Sequence, residues 1–429
     1  MELETQDITL PDSAVQESIV PKGVRTPSFD AASKRYGFVV PRFFESLAGG
    51  AETLIGALAA HLGARGNPVE ILTTCAADNR TWEDALPEGT STEMGVTLRR
   101  FKVNPRNLDI WIPRQIQISE GMNIGLEDEL LWMEHSVNSQ GLYEYIARHA
   151  AEFDALFFGP YLFGTTFWGS QIAPERSYLI PCLHDEHYAY TQVMGAMFRQ
   201  VAGAVFNAGP EADLARALYG KIRGGDVGVG FVPHTQTAID ALLPYFKEQF
   251  PYLLYVGRKE TGKNVQVLID YFVESKEKGE IPADLKLVIV GGGSFSDLHR
   301  PEALKRSDLV DLQHLSEEEK RRIIRHSTVL CQPSTNESFS IVIMEAWLLN
   351  RPVLVHASCA VTRYHALTSG GGLYFSNRAD FAAVVAEMVS NRSLASDLGS
   401  AGRRYVERFY NWPAVVARFD ALMEELLCG

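Results

Sequence analysis

The sequence predicts an α/β protein built from two doubly wound, mostly parallel sheets of similar size that face each other. Three observations lead there. Short apolar runs alternate with helical segments from Tyr36 onward, the pattern of a parallel sheet and its crossover helices. The alternation breaks once, in a glycine-rich stretch at 220–250 closed by Pro233 and Pro244, and then resumes. A chain of 429 residues is too long for one ordinary core; about 150 residues per domain would give three domains, and two large α/β domains of about 200 fit equally well.

The first series opens with a strand at Gly37-Phe38-Val39-Val40 and a loop ending Leu47-Ala48-Gly49-Gly50. A helix over 51–65 follows, with Leu54, Ile55, Leu58 and Leu62 on one face. Arg65 closes its last turn, Gly66 suits the position after it, and Pro68 forbids continuation. Val69–Leu72, Ala155–Phe158, Tyr178–Leu183 and Gly203–Asn207 read as further strands. Region 104–150, which holds Trp111 and Trp132, is expected as an insertion or extended helix beside this domain. The second series comprises strands at Tyr252–Val256, Leu285–Val290, Val329–Cys331 and Pro352–Val355. Helices are expected near 264–278, 316–327, 340–349 and 378–390, the second opened by a Ser316-x-x-Glu319 capping box. The expected division is a loosely ordered leader at 1–34, domains at 35–235 and 236–408, and a terminal helix at 409–429.

Composition removes several classes of function. Forty basic residues against 53 acidic ones give a net charge of −13, the wrong balance for a general nucleic-acid binder. It also discourages an electrostatic grip on anionic membranes. The five cysteines are far apart and form no C-x-x-C pair, which excludes a disulfide framework or zinc knuckle and suits a reducing, cytoplasmic compartment. Neither a membrane-spanning run nor a secretory leader is legible.

The chemistry concentrates in three strand-to-helix loops of the second series. Glu337 and Glu345 lie eight residues apart, the first in a loop and the second in the helix that follows. Backbone N–H groups of Ser338, Phe339, Ser340 and Ile341 at that helix start make a phosphate site. A carboxylate there would repel phosphate and is better suited to accept from sugar hydroxyls. Gly257-Arg258-Lys259-Glu260-Thr261-Gly262-Lys263 is a tight loop expected to aim Arg258 and Lys263 at one point. Gly291-Gly292-Gly293 follows a third strand, where glycine admits a close backbone approach.

These features resemble the retaining glycosyltransferases of family 4, which have the GT-B fold of two facing Rossmann-like domains. The resemblance rests on the E-x7-E pair Glu337/Glu345, the Gly257-Arg258…Lys263 loop, Gly49-Gly50-Ala51-Glu52, and Phe409-Tyr410-Asn411-Trp412 before the terminal helix. It implies transfer of a sugar from a nucleotide-diphosphate donor, UDP- or GDP-linked, to a glycan, lipid-linked or small-molecule acceptor. It further implies that Arg258 and Lys263 hold the diphosphate, Glu337 the sugar and Glu345 the ribose. The resemblance also implies that Val310 to Leu312 frame the base, that Gly49-Gly50 and Gly291-Gly292 approach the donor, that His184 lies near the reacting centre, and that the terminal helix at 409–429, apolar on one face, crosses back to the first domain. No cofactor or metal is expected, since strict Asp-x-Asp does not occur. The expected location is cytoplasmic, with peripheral contact at the inner face of a membrane compatible with it. The sequence departs from the family's pattern twice, at Phe339-Ser340 in place of Phe-Gly and at His356–Ala360 in place of a glycine-rich stretch. The competing readings are an epimerase or phosphorylase of the same fold, or a non-catalytic glycan-binding subunit.

Overall fold

The structure, a computed structural model, describes residues 29–44 and 49–429. Most of the expected leader, and Leu47 and Ala48 of the first loop, lie outside the described residues. The first sheet has eight strands: β1 (Tyr36–Val39), β2 (Val69–Thr74), β3 (Gly89–Glu93), β4 (Val96–Phe101), β5 (Ala155–Phe158), β6 (Ser177–Leu179), β7 (Gly203–Phe206) and β8 (Gly224–Asp226). Their order is β3-β4-β2-β1-β5-β6-β7-β8. Every pairing is parallel except the β3–β4 hairpin at the edge. The second sheet has six: β9 (Tyr252–Val256), β10 (Lys286–Val290), β11 (Leu309–Leu312), β12 (Val329–Gln332), β13 (Val353–His356) and β14 (Gly372–Phe375), in the order β11-β10-β9-β12-β13-β14. Every pairing in it is parallel.

Both sheets follow the doubly wound logic. A central strand (β1 or β9) pairs with its successor on one side and with a much later strand on the other. Connections therefore leave it in opposite directions, and a crevice opens at the carboxyl ends there. The central strands are apolar throughout because helices cover both faces of the sheet.

The structure refines the expected elements at several points. The Tyr178–Leu183 run pairs only over Ser177–Leu179, because Pro181 has no N–H to extend the ladder and Cys182 turns the chain at φ 51°. Region 104–150 is three helices, Leu108–Ser119, Leu126–Glu134 and Gln140–His149. The glycine-rich stretch between the two series begins inside the first sheet: Gly224 and Gly225 pair with Ala204 and Val205 as β8, and a side chain at Gly224 would strike the Ala204 carbonyl. Strands β3, β4, β8, β11 and β14 and the long helix Arg392–Phe409 add to the expected elements.

The last helix, Trp412–Cys428, lies on the first sheet. Its Phe419 ring is 5.5 Å from Tyr36 and 5.6 Å from Phe157, and Asp420 pairs with Arg65. The domains also meet where Ala208 packs against Cys359 and Val361. Among the described residues no helix is long and apolar enough to cross a membrane.

Candidate active site

The switch point of the second sheet lies between β9 and β12, and the loops leaving these two strands carry the carboxylate and cation singled out above. Lys263 Nζ donates to Glu337 Oε1 at 2.8 Å, bridging the crevice. Asn264 ties the same loops together, its Nδ2 donating to the Pro333 carbonyl at 3.1 Å from a left-handed conformation (φ 59°). Burial opposes the charge on Lys263, but the Glu337 carboxylate outweighs it and holds the ammonium pKa above its ordinary value.

Arg258 does not converge on the same point. Its head is exposed and paired with Glu260 at 3.1 Å. The residue between them was missed by sequence reasoning: Lys259 is fully buried, with Nζ 2.7 Å from Asp311 Oδ1 on β11. The glycine run serves this junction rather than only a ligand. Lys259 N donates to Gly292 O at 2.7 Å, and side chains at Gly291 or Gly293 would collide with the carbonyls of Gly257 and Lys259. Backbone contact with loop 257–259 is what requires glycine there, Gly291 at φ 135° and Gly293 at φ 98°.

The helix Ile341–Leu348 points its N-terminus into the crevice. Ser340, standing where the resembling family has glycine, adopts φ 70° and ψ 81°, a left-handed conformation that glycine takes without strain. Phe339 turns away into the core, 5.2 Å from His365 and from Tyr410, so only its backbone can face a ligand. Ser338 meets the Cys182 thiol of the first domain, closing the cleft locally. Glu345, one turn into the helix, accepts from Lys320 Nζ at 2.9 Å. Burial raises the Glu345 pKa and Lys320 opposes the rise. Val310, Asp311 and Leu312 form edge strand β11, in register with Val288 to Val290. Leu312 O accepts from Gly291 N at 3.0 Å.

The first domain presents its own switch point, between β1 and β5. Gly50 opens the helix Gly50–Arg65, and a side chain there would meet open space. At Gly49 it would meet the Glu52 carboxylate, which Arg42 Nε holds at 2.9 Å. His184 Nδ1 lies 3.6 Å from Glu186 Oε1, and Glu186 accepts from the Tyr161 hydroxyl at 2.7 Å. Burial works against the Glu186 charge, yet His184, Tyr161 and Lys263 across the cleft together hold its pKa below the usual range. Sequence reasoning passed over Glu186; its only signal was a second acid beside His184. The loop rests on Glu211, fully buried, which accepts from Leu183 N and Asn207 N at 2.6 Å each. Burial dominates there and pushes the Glu211 pKa up to about 8.

The fold is GT-B. A sucrose-phosphate synthase of Thermosynechococcus elongatus superposes with a TM-score of 0.69 at 17% identity, over 92% of this chain and 99% of that one. HepE of Anabaena, in complex with UDP and glucose, superposes with a TM-score of 0.64 at 14% identity, over 91% and 100%. By sequence, a D-inositol 3-phosphate glycosyltransferase of Streptomyces coelicolor is 28% identical over 191 residues, 42% of this chain and 39% of that protein. The match to the first curated relatives thus spans about two fifths of their length. The protein of the same name from Streptomyces scabiei is 25% identical over 410 residues, 84% of this chain and 83% of that protein. Residues 244–405, the stretch that carries Arg258, Lys263, Glu337 and Glu345, match the family described as glycosyl transferases group 1.

Proposed function

We propose that the chain is a retaining, metal-independent hexosyltransferase that moves a sugar from a nucleoside-diphosphate donor to an acceptor hydroxyl. The observation that carries this reading is the Lys263–Glu337 bridge at 2.8 Å, set across a switch point at the start of a buried helix. A diphosphate entering there competes with Glu337 for Lys263 and takes the outward N–H groups of residues 338–341. Glu337, released, is then placed to accept from the donor-sugar hydroxyls. Arg258, exposed and paired with Glu260, swings onto the phosphate. Glu345 receives the ribose beside Lys320.

Breaking the anomeric C–O bond puts negative charge on the leaving diphosphate, and Lys263, Arg258 and the helix dipole stabilise it there. The acceptor oxygen attacks on the face the diphosphate leaves, and a departing phosphate oxygen takes the acceptor's proton. That route needs no protein nucleophile, metal or cofactor. His184 and Glu186 face this centre from the first domain and position the acceptor. The UDP and glucose bound by HepE favour a uridine donor over a guanosine one. The acceptor is a glycan, a lipid-linked sugar or a small molecule; the unpaired cysteines favour a cytoplasmic enzyme, and its contact with the inner face of a membrane is peripheral.

The test is thermal-shift screening with UDP- and GDP-sugars. A donor at about 100-fold excess over its Kd adds about 2.7 kcal/mol of stability. Release of free nucleotide from the stabilising donor is then measured with a panel of acceptors. Stabilisation lost in Lys263→Ala supports the reading. Equal stabilisation of the wild type and Lys263→Ala would refute it.

A further inference from the structure

A cavity of about 910 Å³ lies at the opposite end of the second sheet from the candidate active site. Its floor is formed where the chain enters β9, β12 and β13, and the helix Arg392–Phe409 walls one side. Three guanidinium groups line it: Arg325, Arg351 and Arg392. Arg325 is satisfied, with Nη2 3.0 Å from Asp240 Oδ1. The Arg351 guanidinium makes no hydrogen bond or ion pair among the described residues, and its Nε is closed off from solvent. Arg392 is exposed and likewise without a protein partner among them. Asp284, on the rim, is the one acid among the lining residues.

This arrangement is unusual in a chain with a net charge of −13. A guanidinium partly withdrawn from water and left unpaired is unfavourable, and the protein has acids enough to pair it. Burial, with Arg325 adding to it, lowers the Arg351 pKa to about 10. His326 beside them is also lowered, by burial first and then by Arg351 and Arg325. Two of the three guanidinium groups, Arg351 and Arg392, thus have no counter-charge paired to them among the described residues. Guanidinium forks match phosphate oxygens in bidentate fashion, and the hydroxyl of Ser396 and amide of Asn350 stand along the same wall.

We propose that this cavity is a second anion site, remote from the switch-point crevice, that binds a phosphate or diphosphate group through Arg351 and Arg392. It is independent of the transferase reading, because its residues come from the amino ends of the strands.

Calorimetric titration of the full chain with inorganic pyrophosphate tests it, using Lys263→Ala to disable the crevice. The Lys263→Ala protein should still bind one pyrophosphate. Adding Arg351→Gln should weaken that binding about tenfold or more, and adding Arg392→Gln several-fold. Arg148→Gln, on an exposed helix of the first domain, should leave it unchanged. If Arg351→Gln fails to fold, the exposed Arg392 carries the test alone. Vesicles containing phosphatidate separate the sources of the group. Vesicle binding lost in Arg392→Gln assigns the site to a lipid headgroup, and absence of vesicle binding beside intact pyrophosphate binding assigns it to a free phosphorylated compound. Unchanged pyrophosphate affinity in both arginine variants, or no binding to Lys263→Ala, would overturn the proposal.

Discussion

Glu337→Gln separates the role of this carboxylate from that of Glu345 in a direction the structure makes specific. In the free protein the Glu337 carboxylate holds Lys263 at 2.8 Å, with side-chain exposures of 12% and 25%. A pair that far from solvent is worth more than an exposed one, at ~0.2–1 kcal/mol, and less than a fully buried one, at ~3–5 kcal/mol when broken. A coupling of about 1–2 kcal/mol follows, and a diphosphate must displace it to reach Lys263. Glutamine keeps the shape and removes the competing charge. The nucleoside diphosphate that stabilises the wild type should therefore bind Glu337→Gln about 5–30-fold more tightly. Turnover should fall about 100-fold, since the sugar contact proposed for Glu337, which would strengthen as the bond breaks, is weakened. Glu345→Gln should do the reverse, losing nucleotide affinity with less effect on kcat. Calorimetry of nucleotide binding beside steady-state kinetics reads both. Weaker nucleotide binding in Glu337→Gln, to the same degree as in Glu345→Gln, would refute the displacement argument.

Four further outcomes are expected. Arg258→Ala, because its head is exposed and paired with Glu260, should change unfolding stability by under about 1 kcal/mol while weakening nucleotide binding; equal nucleotide affinity would remove Arg258 from the proposed phosphate site. Ser340→Gly should stabilise the protein by about 1 kcal/mol in denaturant titration, since it relieves a left-handed backbone at φ 70°. Glu211 has a pKa raised in the folded state, so its contribution to stability is complete below the ordinary carboxylate value and is lost as pH rises toward and through about 8. The decline in unfolding free energy between about pH 5 and 8 should therefore be shallower in Glu211→Gln than in wild type, whatever the variant's absolute stability. Phe419→Ala should cost about 3–5 kcal/mol, because the ring is fully buried between Tyr36 and Phe157 and its loss leaves a cavity beneath the terminal helix.

The sequence by itself determined the two-sheet plan, the break between the sheets, and the strands at the centre of each. Central strands are buried on both faces, so β1, β5 and β9, and β12 up to Gln332, read as short apolar runs. The helix 51–65, its stop at Gly66 and the Ser316–Glu319 capping box were equally legible, because each is settled within a few residues of chain. Edge elements were not. β3 is polar and exposed, β8 is Gly-Gly-Asp, and both become strands only because a neighbour offers an unpaired edge. The candidate site divides in the same way. Lys263 and Glu337 sit in loops, and Glu345 in the helix that follows one, whose position after a strand can be read locally. What each touches depends on pairings 74 and 25 residues apart in sequence, to Lys263 and Lys320. Glu186 and the buried Lys259 carry no local signature that separates them from surface charges. Only the closing of the cleft and the packing of β11 against β10 turn one toward Lys263 and the other toward Asp311, because burial and charge pairing are properties of neighbours the chain supplies from far away.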